Sequence, residues 1–238
     1  MKVSTRISPT LHPDNIKALD GYNELTSPYL QIVVTVFNEA YQSIEAIYVA
    51  RDRANKNASW TPAQKILQLS ELGDKYMNLL SQRFDGVHNN LARTITSIEE
   101  TLSKRIEQQA NTGLNGEIRT FVKSLEHGES AQMMRQAIND GDIKTLSAVL
   151  GAPHYLSGLS AIEHEKYLRD YHEAQNPELT SRLNVMSDAK KYIENHSTKV
   201  LTEIEKAVGA DSAKVKQLRA AKTAAEEAFI LRDFSLEC

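Results

Sequence analysis

The sequence predicts an all-α protein: an elongated helical bundle with two long helices, short helical hairpins, an extended N-terminal arm and a C-terminal tail. Three observations lead there. Only 10 Gly and 6 Pro interrupt 238 residues, while the strong helix formers Ala, Leu, Glu, Lys and Gln are plentiful, which makes long helices with short joints. Apolar residues recur every three or four positions through most of the chain. Cap sequences mark where those runs start and stop.

Residues 1–26 contain Pro9 and Pro13 and no sustained period, so they read as an arm, although it carries Val3, Ile7, Leu11, Ile16, Leu19, Tyr22 and Leu25. Ser27-Pro28 opens the first helix, a cap residue followed by proline at the first helical position. Its stripe runs Leu30, Val33, Phe37, Tyr41, Ile44 and Tyr48. The β-branched run at 32–36 suits a strand, but the 3–4 spacing continues well past it. Thr61-Pro62-Ala63-Gln64 is a capping box, in which each side chain satisfies an orphan amide, and it opens the second helix. Apolar positions from Ile66 to Ile106 then recur about every 3.6 residues, the period of a straight helix rather than of a supercoil seam. Asp85-Gly86 is a turn signal, yet the stripe keeps phase across it, so one helix of about 75 Å at 1.5 Å per residue is expected.

Shorter helices follow near 115–127, 129–139 and 142–150. Asn139-Asp-Gly-Asp142 joins the last two, with Gly141 suited to a left-handed C-terminal position and Asp142 to an N-cap. The stretch GAPHYLSGLS, residues 151–160, combines a stop signal, Gly151 with Pro153, and a start signal, the capping box Ser160-Ala-Ile-Glu163. His154, Tyr155 and Leu156 are left over at its tip, as an exposed contact or a lid on the local core. A helix near 160–174 follows. Asn176-Pro177 opens a long helix to about Gly209, with Leu179, Met186, Ile193, Val200 and Ala207 every seven residues; Asp211 caps a last, Ala-rich helix. The domain organisation expected is an arm at 1–26, a long-helix region at 27–127 and a helical-hairpin region with C-terminal helices at 128–238, joined as one bundle.

Charge argues against a polyelectrolyte partner. The net charge is −3, and no region has the basic excess that a nucleic-acid binder concentrates on one face. Only residues 129–176 are unbalanced, with four cations against seven anions. No stretch is long and apolar enough to cross a membrane, and no leader pattern opens the chain. The single cysteine, Cys238, cannot make an intrachain disulfide, which favours a reducing compartment.

Catalytic and cofactor motifs are missing. Phosphate-binding loops, Cys-x-x-Cys, His-Glu-x-x-His and Gly-x-Ser-x-Gly are absent, and Ser187-x-x-Lys190 lacks its companion motifs. Asp85-x-x-His88 stands alone where a di-metal bundle needs paired acidic and histidine motifs. His164 and His172 lie eight residues apart, about 12 Å along a helix, too far to share an ion, so both read as residues at the core boundary. No catalytic, cofactor-binding or metal-binding residue is therefore assigned, and no cofactor is expected.

Residues 138–159, INDGDIKTLSAVLGAPHYLSGL, resemble a stretch of poorly characterised helical proteins encoded by tailed bacteriophages, in which a helix–Gly-Asp–helix unit leads into a Gly-Ala-Pro loop. The resemblance is confined to this stretch and implies a virion or assembly context. The expectation is a non-enzymatic structural or adaptor protein, in the cytoplasm or in a virion assembled there, whose partners are protein subunits in a homo-oligomer or larger assembly. The alternative is a small soluble regulator that binds and inhibits a host protein. Candidate partner contacts are His154, Tyr155 and Leu156 at the corner, Ile7 and Leu11 in the arm, and Phe229, Phe234 and Leu236 in the tail.

Overall fold

Cap chemistry and apolar spacing place the helices, and the computed structural model describes them over residues 4–109 and 114–229. Among the described residues there are nine α-helices and no strand. A single 3-10 turn at Pro9–Leu11 leads into α1 (Asp14–Lys17), and then come α2 (Ser27–Lys56) and α3 (Pro62–Gln109). The short helices are α4 (Asn115–Ser124), α5 (His127–Asp140), α6 (Ile143–Leu150) and α7 (Ala161–Gln175); α8 (Pro177–Val208) and α9 (Ser212–Glu227) complete the chain. The all-α class is as the sequence predicts.

The caps at Thr61, Asp142, Ser160 and Asp211 are formed as the sequence specifies. Ser27, expected as a cap, is instead itself the first residue of α2, and its hydroxyl donates to Glu24 O at 3.4 Å. Thr61 N–H donates to Gln64 Oε1 at 2.8 Å, and Gln64 N–H returns to Thr61 Oγ1 at 3.2 Å. Asp211 accepts from Lys214 N–H at 2.7 Å. Gly141 ends α5 in the left-handed region at φ +66°, where a side chain is strained. Helix α3 passes through Asp85-Gly86 without a break. A Cβ at Gly86 would meet nothing within 4 Å, so Gly86→Ala is expected to be neutral or to raise stability by up to ~1 kcal/mol, read by urea denaturation.

Packing divides the chain into two units. The first holds residues 4–18, 30–88 and 191–229; the second holds 19–29, 89–109 and 114–190. The division cuts α2, α3 and α8 rather than falling in the joint at 127/128.

In the first unit the α2 stripe Leu30, Val33, Phe37, Tyr41, Ile44 and Tyr48 is buried throughout. Phe37 meets Phe84 of α3 edge to face at 5.2 Å and Tyr192 of α8 at 5.4 Å, the arrangement aromatic quadrupoles favour. The N-terminal segment belongs to this core, and Ile7 and Leu11 are not available to a partner. Leu11 and Ile16 are 0% exposed and Ile7 is 3% exposed. Two prolines keep the segment out of a long helix, but its apolar side chains still gain by leaving water. Tyrosines pin its backbone: Tyr41 Oη accepts from Ser4 N–H at 2.6 Å, while Tyr48 and Tyr192 hydroxyls donate to the Arg6 and Thr10 carbonyls at 3.1 and 2.7 Å.

The second unit is built on the short helices. Ile106, Val122, Met134, Ala137, Leu146, Val149, Leu150, Leu159, Tyr167 and Tyr171 form its core. Residues 19–29 pack here, with the Arg182 guanidinium 3.8 Å above the Tyr29 ring.

Candidate functional site

The corner at residues 151–164 is shaped by backbone bonds before any side chain is considered. Gly151 N–H closes α6 by donating to Ser147 O at 2.9 Å. Pro153 fixes the chain direction, and His154–Leu156 form one 3-10 turn in which Leu156 N–H donates to Pro153 O at 3.0 Å. The His154 carbonyl accepts from both Ser157 and Leu159 N–H groups at 3.2 Å. Gly158 takes φ +75°, and a Cβ there would stand 3.2 Å from Lys123 Cγ, so the position asks for glycine twice over. Ser160 and Glu163 then complete the capping box that starts α7.

Two histidines brace the corner. His154 Nδ1 lies 3.0 Å from Leu159 O and His164 Nε2 lies 3.1 Å from Leu150 O. Since carbonyls only accept, both nitrogens are donors. His154 is half-buried by this role and acts as a bracket more than as a contact surface. The side chains that close over the core are Ser157 and Leu159. Tyr155 is 61% exposed and Leu156 43% exposed, and Ile162 in the first turn of α7 is 81% exposed. The tip is therefore an exposed one and not a lid. Ile162 was missed by sequence reasoning; its signal was an apolar residue five positions before Tyr167, off the buried stripe.

Capping fixes the charges at the starts of α7 and α6. The Ser160 hydroxyl and then its N–H hold the Glu163 carboxyl below its ordinary value, and the Thr145 hydroxyl and N–H do the same for Asp142. Burial pushes the Tyr167 and Tyr171 phenols up.

Further along α7, His172 is buried beside the Tyr171 ring at 5.3 Å, with no partner for its Nδ1 among the described residues. The boundary position that the sequence suggested for it is corrected: it faces the core. Burial lowers its pKa, so the unfolded chain takes up a proton near pH 6.5 before the folded chain does. Stability is expected to fall as pH drops through that window and to stay reduced below the folded pKa. His172→Leu should flatten this acid-side slope in melts taken from pH 7.5 to 5.

The other sequence candidates are dispersed. Phe229 follows α9 and is 86% exposed, while Phe234 and Leu236 lie outside the described residues. His88 pairs with Glu194 of α8, Nε2 to Oε1 at 2.9 Å. Among the described residues no group of three or more His, Cys, Asp or Glu could hold a metal ion, and no helix is long and apolar enough to cross a membrane.

Grooves lie elsewhere on the surface. In the first unit one of about 750 Å³ runs between α2 and α3, where Ala46, Ala50 and Ala54 leave a trough beside Leu69 and Leu72, with Trp60 at its rim. Another, of about 350 Å³, lies among α3, α8 and α9 beside Gly73. Comparison with protein-family models, curated proteins and solved structures finds no match for this chain.

Proposed function

We propose that the protein is a non-enzymatic structural or adaptor component that works through protein–protein contacts, with the corner at 151–164 as a contact site. The observation that carries this reading is the exposure of Tyr155 and Leu156 on a turn whose backbone is fixed by capping and histidine brackets. A fixed turn has already lost its conformational freedom, so docking it costs less entropy than ordering a loose loop. Tyrosine supplies large contact area with few rotatable bonds, which is why it recurs among the residues that dominate interfaces.

The resemblance of residues 138–159 to bacteriophage proteins supports a virion or assembly setting, with partners that are copies of this chain or other particle subunits. Light scattering on the purified chain, with mass spectrometry of purified particles, tests this. A large symmetric oligomer or presence in particles supports the structural role; a monomer absent from particles favours a soluble regulator of a host protein. In either case Tyr155→Ser with Leu156→Ser should weaken association by about tenfold or more, equivalent to about 1.4 kcal/mol, without lowering the melting temperature. A drop of several degrees with association intact would assign the pair to packing instead.

A further inference from the structure

Away from the corner, the second unit has a groove of about 490 Å³ formed by the end of α4, one face of α5 and the start of α6. Its floor is apolar, with Phe121, Leu125, Met133 and Ala137, and its rim is acidic, with Glu129, Asp140 and Asp142. Gln132, Gln136 and Thr145 complete the lining, so among the described residues no Lys or Arg faces it. Phe121 is 55% exposed there, an apolar ring left more than half open among the described residues.

We propose that this groove is a docking site for a basic amphipathic helix of a partner protein, the apolar stripe seated on Phe121 and Met133 and the flanking Lys or Arg side chains meeting Glu129, Asp140 and Asp142. The inference rests on the adaptor reading and adds the chemistry of one partner.

Length and charge select this occupant. From Glu129 to Asp140 the groove follows α5 over eleven residue steps, about 16 Å at 1.5 Å per residue, which matches three turns of a helix. Helices dock in such grooves through anchors one turn apart, and Met133 offers a polarizable, adaptable surface for them.

The carboxylates are held in place. Glu129 accepts from Glu126 N–H at 3.3 Å, Asp140 accepts from Gln136 Nε2 at 2.9 and 3.0 Å, and Asp142 accepts from Thr145 N–H and Oγ1 at 3.1 and 2.6 Å. An ionised carboxylate offers about four lone-pair sites, so each keeps capacity for an incoming cation. The surrounding segment 129–176 also carries the chain's one regional anion excess, seven against four. Such a rim repels nucleic acid and anionic lipid, and it steers a basic partner.

The test uses fluorescence anisotropy with the full chain and a labelled amphipathic peptide of about four turns, Leu on one face and Lys on the other. A counterpart with Glu in place of Lys and a scrambled Leu/Lys peptide are the comparisons. The Leu/Lys peptide should bind at least about tenfold more tightly than either, and more weakly as salt rises. Phe121→Ser and Asp140→Lys should each weaken it about fivefold or more, a little under ~1 kcal/mol by the same conversion. Glu165→Lys, on α7 outside the groove, and Tyr155→Ser, at the corner, should leave it unchanged. Circular dichroism checks that the variants fold, with Asp140→Asn as the milder substitute. Equal binding of the Glu peptide, indifference to Phe121→Ser and Asp140→Lys, or an equal loss with Glu165→Lys would overturn the proposal. Loss of the corner's function with this binding intact would leave the groove standing.

Discussion

Leu11→Ala is expected to destabilise the protein by about 2–5 kcal/mol, the range for emptying a fully enclosed aliphatic site. That is a large share of the roughly 5–15 kcal/mol that holds an ordinary domain together. Leu11 has no exposed surface, and Ile7 and Ile16 are buried with it. Deleting residues 1–18 removes all three and also strips the hydrogen-bond partners from Tyr41, Tyr48 and Tyr192, so it should cost more than the point substitution. The measurement is urea denaturation of the two variants beside the parent chain. A sequence reading that takes the arm as a subunit-linking strap expects the truncated protein to melt normally. Unchanged melting would mean that the arm does not pack on its own unit.

Leu146→Ala should cost about as much in the second unit, again about 2–5 kcal/mol. Leu146 is 1% exposed and belongs to one core with Met134, Val149 and Tyr171, which draws side chains from α5, α6 and α7. This variant asks whether the short helices form a packed unit or a set of loosely held hairpins. In a packed unit the amides of α4 to α7 lose hydrogen-exchange protection together. Loss confined to α6 would show that the hairpins open independently.

The local features of the fold were legible in the sequence because they are written within four residues. Thr61 with Gln64, Ser160 with Glu163, and Asp142 with Thr145 each settle a helix end by bonds between near neighbours. The phase of the α3 stripe carried the same kind of information across Gly86. What the sequence did not disclose is set by distant partners. Nothing near Leu11 announces that Tyr192, far along the chain, donates to the Thr10 carbonyl. His172 likewise faces the core although Asp170 and Glu173 flank it closely in sequence. Exposure at the corner was undecided for the same reason: whether Tyr155 or Leu159 closes the core depends on how α4, α6 and α7 meet, and Leu159 takes that place. The acidic groove on α5 needed the structure too, since Phe121 comes to it from α4 and Asp142 from the N-cap of α6.

The central claim is that the fixed corner is a surface for contact with other protein chains. Its most direct test replaces Tyr155 with the photoreactive residue p-benzoylphenylalanine in the full chain, in the host that naturally makes it, beside the same replacement at Lys104. Lys104 is a similarly exposed position on α3. Irradiation should give a discrete crosslinked species at 155, either two copies of this chain or the chain with one partner, and should give none at 104. The same pattern at both positions, or no crosslink at 155, would contradict the account.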